Sequence, residues 1–228
     1  MKTIGLVGGM SWESSSHYYR IINAETARRR GGLHSAPLIL NSLDFAPIAA
    51  LQAEGDWEAA GRRLNAAARG LVAAGAQVLG LATNTMHLVA EAMLEGIKTP
   101  FVHIADPTAA ALRADGFATV GLLGTRFTME MDFYRDRLAA GGLEVLVPEV
   151  ERTNLDGIIF EELCRGIVRE PSRRIYVEAI GRLAARGAEA VILGCTEIGM
   201  LVDDDVSPLP VYDTTELHAR ALVDAALA

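Results

Sequence analysis

The sequence predicts an α/β protein made of two pseudo-symmetric parallel-sheet lobes that arose by internal duplication. Three observations carry that prediction. Short apolar runs alternate with longer helical stretches along the whole chain. Half of the residues are hydrophobic while only 6% are aromatic, a balance that suits close packing of helix on sheet. Two segments of the first half also return in the second. Strands separated by helices pair in parallel, with helices on both faces. A chain of 228 residues can bury one large core or two small ones.

Taken in order, Thr3–Val7 is an apolar strand closed by Gly8 and Gly9, and a helix follows from Trp12 to about Arg30. Ser11 is its expected cap, with Glu13 in the first turn, where the helix dipole favours an anion. Leu38–Asn41 reads as strand, Trp57–Ala74 as helix ended by Gly75, and Val78–Leu81 as strand. A short helix is expected over His87–Glu95, a strand over Phe101–Ile104, and a helix over Pro107–Ala114. Thr119–Leu123 is strand, Thr128–Ala140 helix, and Glu144–Val147 strand. Helices over Asn154–Arg165 and Pro171–Arg186 precede a strand at Ala190–Leu193. A last strand near Leu209–Tyr212 leads into a helix over Thr214–Leu227.

The repeat is the most informative feature. IGLVGG at Ile4–Gly9 returns as VGLLGT at Val120–Thr125, and the following helices carry Tyr18–Arg20 (YYR) and Phe133–Arg135 (FYR). AAGAQVLGLATNT at Ala73–Thr85 returns as ARGAEAVILGCTE at Ala185–Glu197. The expected lobes are 1–104 with 211–228, and 105–210. Ligands of parallel α/β sheets bind outside the carboxyl ends of the strands. The expected site is therefore the cleft between lobes, lined by Gly8–Ser11, Thr83–Thr85, Thr125–Thr128 and Cys195–Glu197.

Composition removes several alternatives. A formal charge of -8 leaves no electrostatic footprint for nucleic acid. Two cysteines are too few for a disulfide framework and fit a cytoplasmic location. No targeting pattern opens the chain, and no apolar run approaches the roughly 20 residues of a membrane span. A pyridoxal phosphate enzyme needs a Schiff-base lysine, but Lys2 precedes the first strand and Lys98 sits in a turn. The five histidines show no metal-ligand spacing, and Ile4–Gly9 lacks the dinucleotide GxGxxG pattern.

Within the repeat, Thr83 aligns with Cys195, each at the end of a buried strand. Backbone N–H groups at such a position stabilise a thiolate, and comparable sites lower a cysteine pKa from about 8.5 to about 3.5–7.5. Cys195 in GCTE is thus the candidate reactive thiol. Cys164, in the apolar run IIFEELC, reads instead as a small core residue. Asn84, Thr85 and Thr196 add short polar groups able to hold a carboxylate and an amine, and the same residue types serve as helix caps.

These motifs resemble the aspartate/glutamate racemase family. The likeness lies in GGMSWES, GLHSA, TNTMH (Thr83–His87), LGTRFTME, IIFEELC and GCTEIG (Gly194–Gly199), and it runs over nearly the whole chain. The resemblance implies two similar α/β domains, a homodimer, no cofactor or metal, and two-base transfer of the α-proton of an amino acid, L-aspartate or L-glutamate. It implies catalytic roles for Thr83 and Cys195, and substrate binding by Met10, Gln52, Asn84, Thr85, Thr125, Thr196 and Glu197. Typical members carry a cysteine in each of the two motifs, whereas here the first is Thr83. A hydroxyl is a far weaker acid than a thiol, so Cys195 is left as the well-matched base. The charged residues that family members often carry near positions 164 and 47–48 are also missing; Gln52 or Arg126 are the substitutes at hand. Two other readings stay open. One is a single-cysteine isomerase or decarboxylase of the same superfamily; the other is a non-catalytic amino-acid-binding protein.

Overall fold

The structure is a computed structural model describing residues 1–228. It divides into two compact units, 1–103 with 218–228, and 104–217.

In the first unit, β1 (Ile4–Gly8), α1 (Trp12–Arg30), β2 (Leu38–Ser42), α2 (Phe45–Glu54), α3 (Trp57–Ala73) and β3 (Val78–Leu81) follow one another. A 3₁₀ turn at Thr85–Val89 and α4 (Ala90–Met93) come next. The sheet order is β2-β1-β3, all parallel. The second unit holds α5 (Ala105–Ala114), β4 (Thr119–Gly124), α6 (Arg126–Glu130), α7 (Asp132–Ala140), β5 (Glu144–Leu146) and α8 (Arg152–Glu161). After them come a 3₁₀ turn at Leu163–Arg165, α9 (Glu170–Ala185), β6 (Ala190–Gly194), a 3₁₀ turn at Ile198–Met200 and β7 (Val211–Asp213). Its sheet order is β5-β4-β6-β7, again parallel. Helix α10 (Thr214–Leu227) begins in the second unit and ends in the first.

The duplication is written in the strand registers. Ile4 pairs with Val78 in one sheet and Val120 with Ala190 in the other, the same residues that the sequence repeat aligns. Tyr18 and Tyr134 are the buried equivalents on the helices that follow, both fully covered. Aligning YYR with FYR by letters would instead match Tyr18 with Phe133, one residue out of step with burial. The core strands are apolar on both faces, as parallel strands covered by helices must be. Ile4, Leu6, Val7, Leu79 and Leu81 are closed from solvent in the first unit, and Val120, Leu122, Val191, Ile192 and Leu193 in the second.

Local signals explain most element starts. The Ser11 side chain accepts the Ser14 N–H at 3.2 Å, as its sequence position predicts. Asp56 caps α3 through the Ala59 N–H at 2.9 Å. Four expectations change. Phe101–Ile104 is not a strand: it contracts to one bridge, Leu79 with Phe101, because Ile104 already turns into α5. The helix expected over Thr128–Ala140 is broken at Met131, whose extended backbone (ψ 146°) separates α6 from α7. The helix expected over His87–Glu95 starts as the tighter turn at Thr85–Val89. The boundary expected at 211 moves to 217, since β7 hydrogen-bonds to β6 and so belongs to the second unit. Helix α2, capped by Asp44, has no counterpart in the sequence reading.

Gly9, at the turn leaving β1, has φ +87°, and a Cβ there would lie 2.1 Å from the Leu43 carbonyl oxygen. Gly31 also has a positive φ, +73°, but faces open space. Gly31→Ala should therefore cost about 1–3 kcal/mol of backbone strain, and Gly9→Ala should cost more, because a clash with the Leu43 backbone adds to its strain. Urea unfolding of the two variants checks the ranking; equal losses would contradict it.

Candidate active site

The carboxyl ends of β1 and β3 form the polar end of the first sheet. Leu43 N–H donates to the Gly8 carbonyl at 2.9 Å, and Gly9 N–H donates to Ser15 Oγ at 2.7 Å, fixing the turn into α1. Ser14 Oγ donates to the Ala82 carbonyl at 3.4 Å, tying the same helix to the end of β3. Thr83, Asn84 and Thr85 follow at once, all buried. His87 lies one turn further on. Its Nδ1 sits 2.7 Å from the Thr83 carbonyl, which can only accept, so that nitrogen carries the proton. The His87 ring packs edge-on against His103, with centroids 4.4 Å apart, and lies 6.0 Å from His218. His218 is fixed in turn: Nε2 donates to the Val102 carbonyl at 2.9 Å and Nδ1 meets Tyr18 Oη at 2.7 Å. Three buried imidazoles thus brace the Thr83 loop from within the first unit.

Met10 is buried among the apolar residues of that unit. Gln52 is also buried, and its amide donates to Met86 Sδ at 2.9 Å. Both lie in the first unit with Thr83, Asn84 and Thr85.

The second unit has a different chemistry at the equivalent strand ends. Thr125 caps α6 through the Thr128 N–H at 3.3 Å. Cys195, Thr196 and Glu197 follow β6 and are buried. Cys195 Sγ donates to Glu197 Oε2 at 3.0 Å, and Thr196 Oγ1 donates to the same oxygen at 2.7 Å. Arg126 remains on the surface, its guanidinium 5.7 Å from the Phe127 ring centre and 4.0 Å from Glu130, while its backbone N–H donates to Asp156 at 2.7 Å.

The lowered thiol pKa expected for Cys195 is not what the fold produces. Burial is the largest influence and pushes the thiol well above its ordinary value, and the Glu197 carboxylate adds to the rise. The Glu197 backbone N–H opposes it more weakly. The physical reason is local: a three-residue 3₁₀ turn follows Cys195, not a long α-helix with aligned N–H groups, and the nearest charge is negative.

Cys164 packs, partly buried, against the apolar core of the second unit, as its apolar run predicts. Burial, followed by the charge of Glu197, drives its thiol far upward as well. No spacing rule links position 164 to position 197, so only folding could reveal that the Glu197 charge acts on this thiol. The histidine cluster in the first unit was equally hidden, since His87, His103 and His218 come from three separate segments. No group of three or more His, Cys, Asp or Glu side chains is arranged to hold a metal ion, and no helix is long and apolar enough to cross a membrane.

Comparison with known proteins bears on what such an arrangement does. The family model described as Asp/Glu/hydantoin racemase matches residues 7–222. A protein from Yersinia pestis assigned as an Asp/Glu racemase, of known crystal structure, is similar over the full length of both chains, with 49% identity and a TM-score of 0.92. An aspartate racemase homologue from Pyrococcus horikoshii is likewise similar over both full lengths, at 35% identity and a TM-score of 0.85. The broad specificity amino-acid racemase RacX of Bacillus subtilis is 22% identical over 158 residues, 68% of this chain and 66% of its own length.

A thiol held protonated by burial and a neighbouring carboxylate reacts slowly with electrophiles, because the thiolate is the nucleophile. Alkylation of Cys195 by iodoacetamide should therefore be slow at neutral pH and rise steadily towards alkaline pH. Glu197→Gln removes the charge that opposes the thiolate and should speed alkylation at pH 8 by about tenfold. Peptide mass spectrometry reads the modified site. Unchanged or slower labelling in Glu197→Gln would refute the electrostatic account.

Proposed function

Since the chain belongs to the Asp/Glu/hydantoin racemase family, we propose that it is a cofactor-independent racemase of aspartate or glutamate, with Cys195 and Thr83 as its two catalytic residues. The observation that carries the reading is the buried Cys195–Glu197 pair at the strand end equivalent to Thr83. A thiol alone in that environment would stay protonated. With a carboxylate oxygen 3.0 Å from Sγ, the proton has somewhere to go. Once that proton rests on Oε2, the Glu197 charge no longer opposes the thiolate.

The reaction then balances as follows. Glu197 accepts the thiol proton, and the thiolate removes the α-proton of the L-enantiomer, so that an S–H bond forms as the α C–H bond breaks. A proton reaches the opposite face of the α-carbon from the Thr83 hydroxyl, which solvent restores while Glu197 releases the proton it took to solvent, so that no proton is gained or lost over the turnover. In the reverse direction Thr83 must remove the α-proton of the D-enantiomer, the harder task because a hydroxyl is so weak an acid. The side that Cys195 serves follows from the family resemblance of GCTE, and Asn84, Thr85, Thr125 and Thr196 supply the short polar groups for the substrate's amine and carboxylate.

Deuterium wash-in at the α-carbon, followed by NMR for L- and D-aspartate and L- and D-glutamate, tests this. The L-enantiomer should exchange readily and the D-enantiomer slowly. Cys195→Ala should lower L-side exchange by about 10²–10⁴-fold, and Thr83→Cys should raise D-side exchange by about 10²-fold. The overall equilibrium constant stays at one, so the asymmetry appears in kcat and KM separately and not in the ratio of kcat/KM values. Equal exchange from both enantiomers, unaltered by Thr83→Cys, would show that the hydroxyl does not limit the reaction. No exchange from any of the four would leave a binding protein as the reading.

A further inference from the structure

In the first unit, a cavity of about 410 Å³ opens between the last turns of α3 and the loop over 96–99 that follows α4. That loop leads into the bridge of Phe101 with Leu79, near the start of β3, so the cavity lies at the amino end of the strand whose carboxyl end carries Thr83. Arg69 from α3 lines it, with Lys98 and Thr99 from the loop and the apolar side chains of Val72 and Ile97. No acidic side chain does. In a chain whose formal net charge is -8, two cations here share a cavity with no carboxylate.

The arginine is held in place. Its Nε donates to Asn65 Oδ1 at 2.8 Å and its Nη2 to the Glu95 carbonyl at 2.9 Å. Asn65 is fixed in turn, its amide donating to the Met93 and Glu95 carbonyls at 2.8 and 2.9 Å. Gly96 makes room for the guanidinium: it has φ +70°, and a Cβ there would lie 2.6 Å from Arg69 Nη2. A long side chain is thus ordered by the protein itself, which lowers the entropy that a ligand must overcome. Its Nη1 is left unused, and neither Arg69 nor Lys98 is paired with a carboxylate.

We propose that this cavity binds a small organic phosphate monoester, with its phosphoryl oxygens on Arg69, Lys98 and Thr99 and its organic part against Val72 and Ile97. Charge favours a phosphate over a carboxylate. A phosphate monoester carries about −1.5 to −2 at pH 7 and matches two cations, whereas the single charge of a carboxylate leaves one unmatched. Donor number points the same way: guanidinium, ammonium and hydroxyl meet three terminal oxygens, where a carboxylate offers two. The volume is that of a small-molecule site and leaves room beside the phosphoryl group for an organic part. None of these residues belongs to the strand ends that carry Thr83 and Cys195, so the inference is independent of the racemase reading.

Titration of the full-length, ¹⁵N-labelled protein with phenyl phosphate, inorganic phosphate and benzoate, followed by amide NMR, tests this without turnover. Phenyl phosphate should saturate with a Kd of about 1 mM or tighter, and the largest shifts should fall on Gly96, Ile97, Lys98 and Thr99. Inorganic phosphate should bind about tenfold more weakly for want of an apolar part, and benzoate about tenfold more weakly for want of charge.

Lys98 is exposed, so its replacement leaves the core intact. Lys98→Gln should weaken phenyl phosphate about tenfold, while Lys98→Arg, which keeps the charge, should stay within about threefold of the wild type. Arg69→Gln should weaken it at least as much as Lys98→Gln. No saturation below about 10 mM, shifts centred on Thr83, Asn84 and Thr85, or an unaltered Kd in Lys98→Gln would overturn the proposal. Benzoate binding as tightly as phenyl phosphate would overturn the choice of phosphate. If the wild type exchanges no amino-acid proton while these titrations behave as expected, the racemase reading falls and the phosphate site stands.

Discussion

Strands β1, β3 and β6 have no exposed residue, and β4 has only Thr119 partly open to solvent. That burial dictates where a polar side chain can sit in this molecule. Within a strand covered on both faces, the backbone satisfies its own hydrogen bonds through the parallel ladder, and an unpaired polar side chain would cost several kcal/mol. Hydroxyls, amides, thiols and carboxylates are therefore pushed to the strand ends, where the chain first leaves the ladder. Thr83 and Cys195 stand two and one residues beyond their strands for this reason. The short 3₁₀ turns that follow keep neighbouring polar groups close.

The two copies of this arrangement have diverged in what supports the strand end. In the first unit, His87 holds the Thr83 carbonyl, and His103, His218 and Tyr18 pack behind it in a network whose ring positions are set by backbone carbonyls. In the second, Glu197 gathers a thiol and a hydroxyl. One support fixes geometry around a side chain with little acid–base power of its own. The other sets a carboxylate beside a thiol. A duplicated scaffold can change in this way because the ladder registers are carried by the apolar strand residues, leaving the residues beyond them free to differ.

The Cys195–Glu197 pair also corrects a common expectation about strand-end cysteines. Proximity to backbone N–H groups lowers a thiol pKa only where they outweigh desolvation, and here burial and the carboxylate prevail. The thiol is then held protonated by what surrounds it.

The sequence by itself determined the alternation of strand and helix, the parallel pairing, the duplication, the correspondence of Thr83 with Cys195, and the cap at Ser11. Each depends on residues near one another in the chain or on a pattern repeated along it. The sequence reading went astray where a distant contact decided the outcome. Phe101–Ile104 has strand-forming residues, yet pairing at Leu79 and the start of α5 leave it a single bridge. Cys164 packs as its apolar run IIFEELC predicts, yet only the return of β6 brings the Glu197 charge to act on it. The pKa of Cys195 was beyond a local reading for the same reason. Desolvation and charge act through space, so the protonation of a group is settled by what tertiary packing places around it.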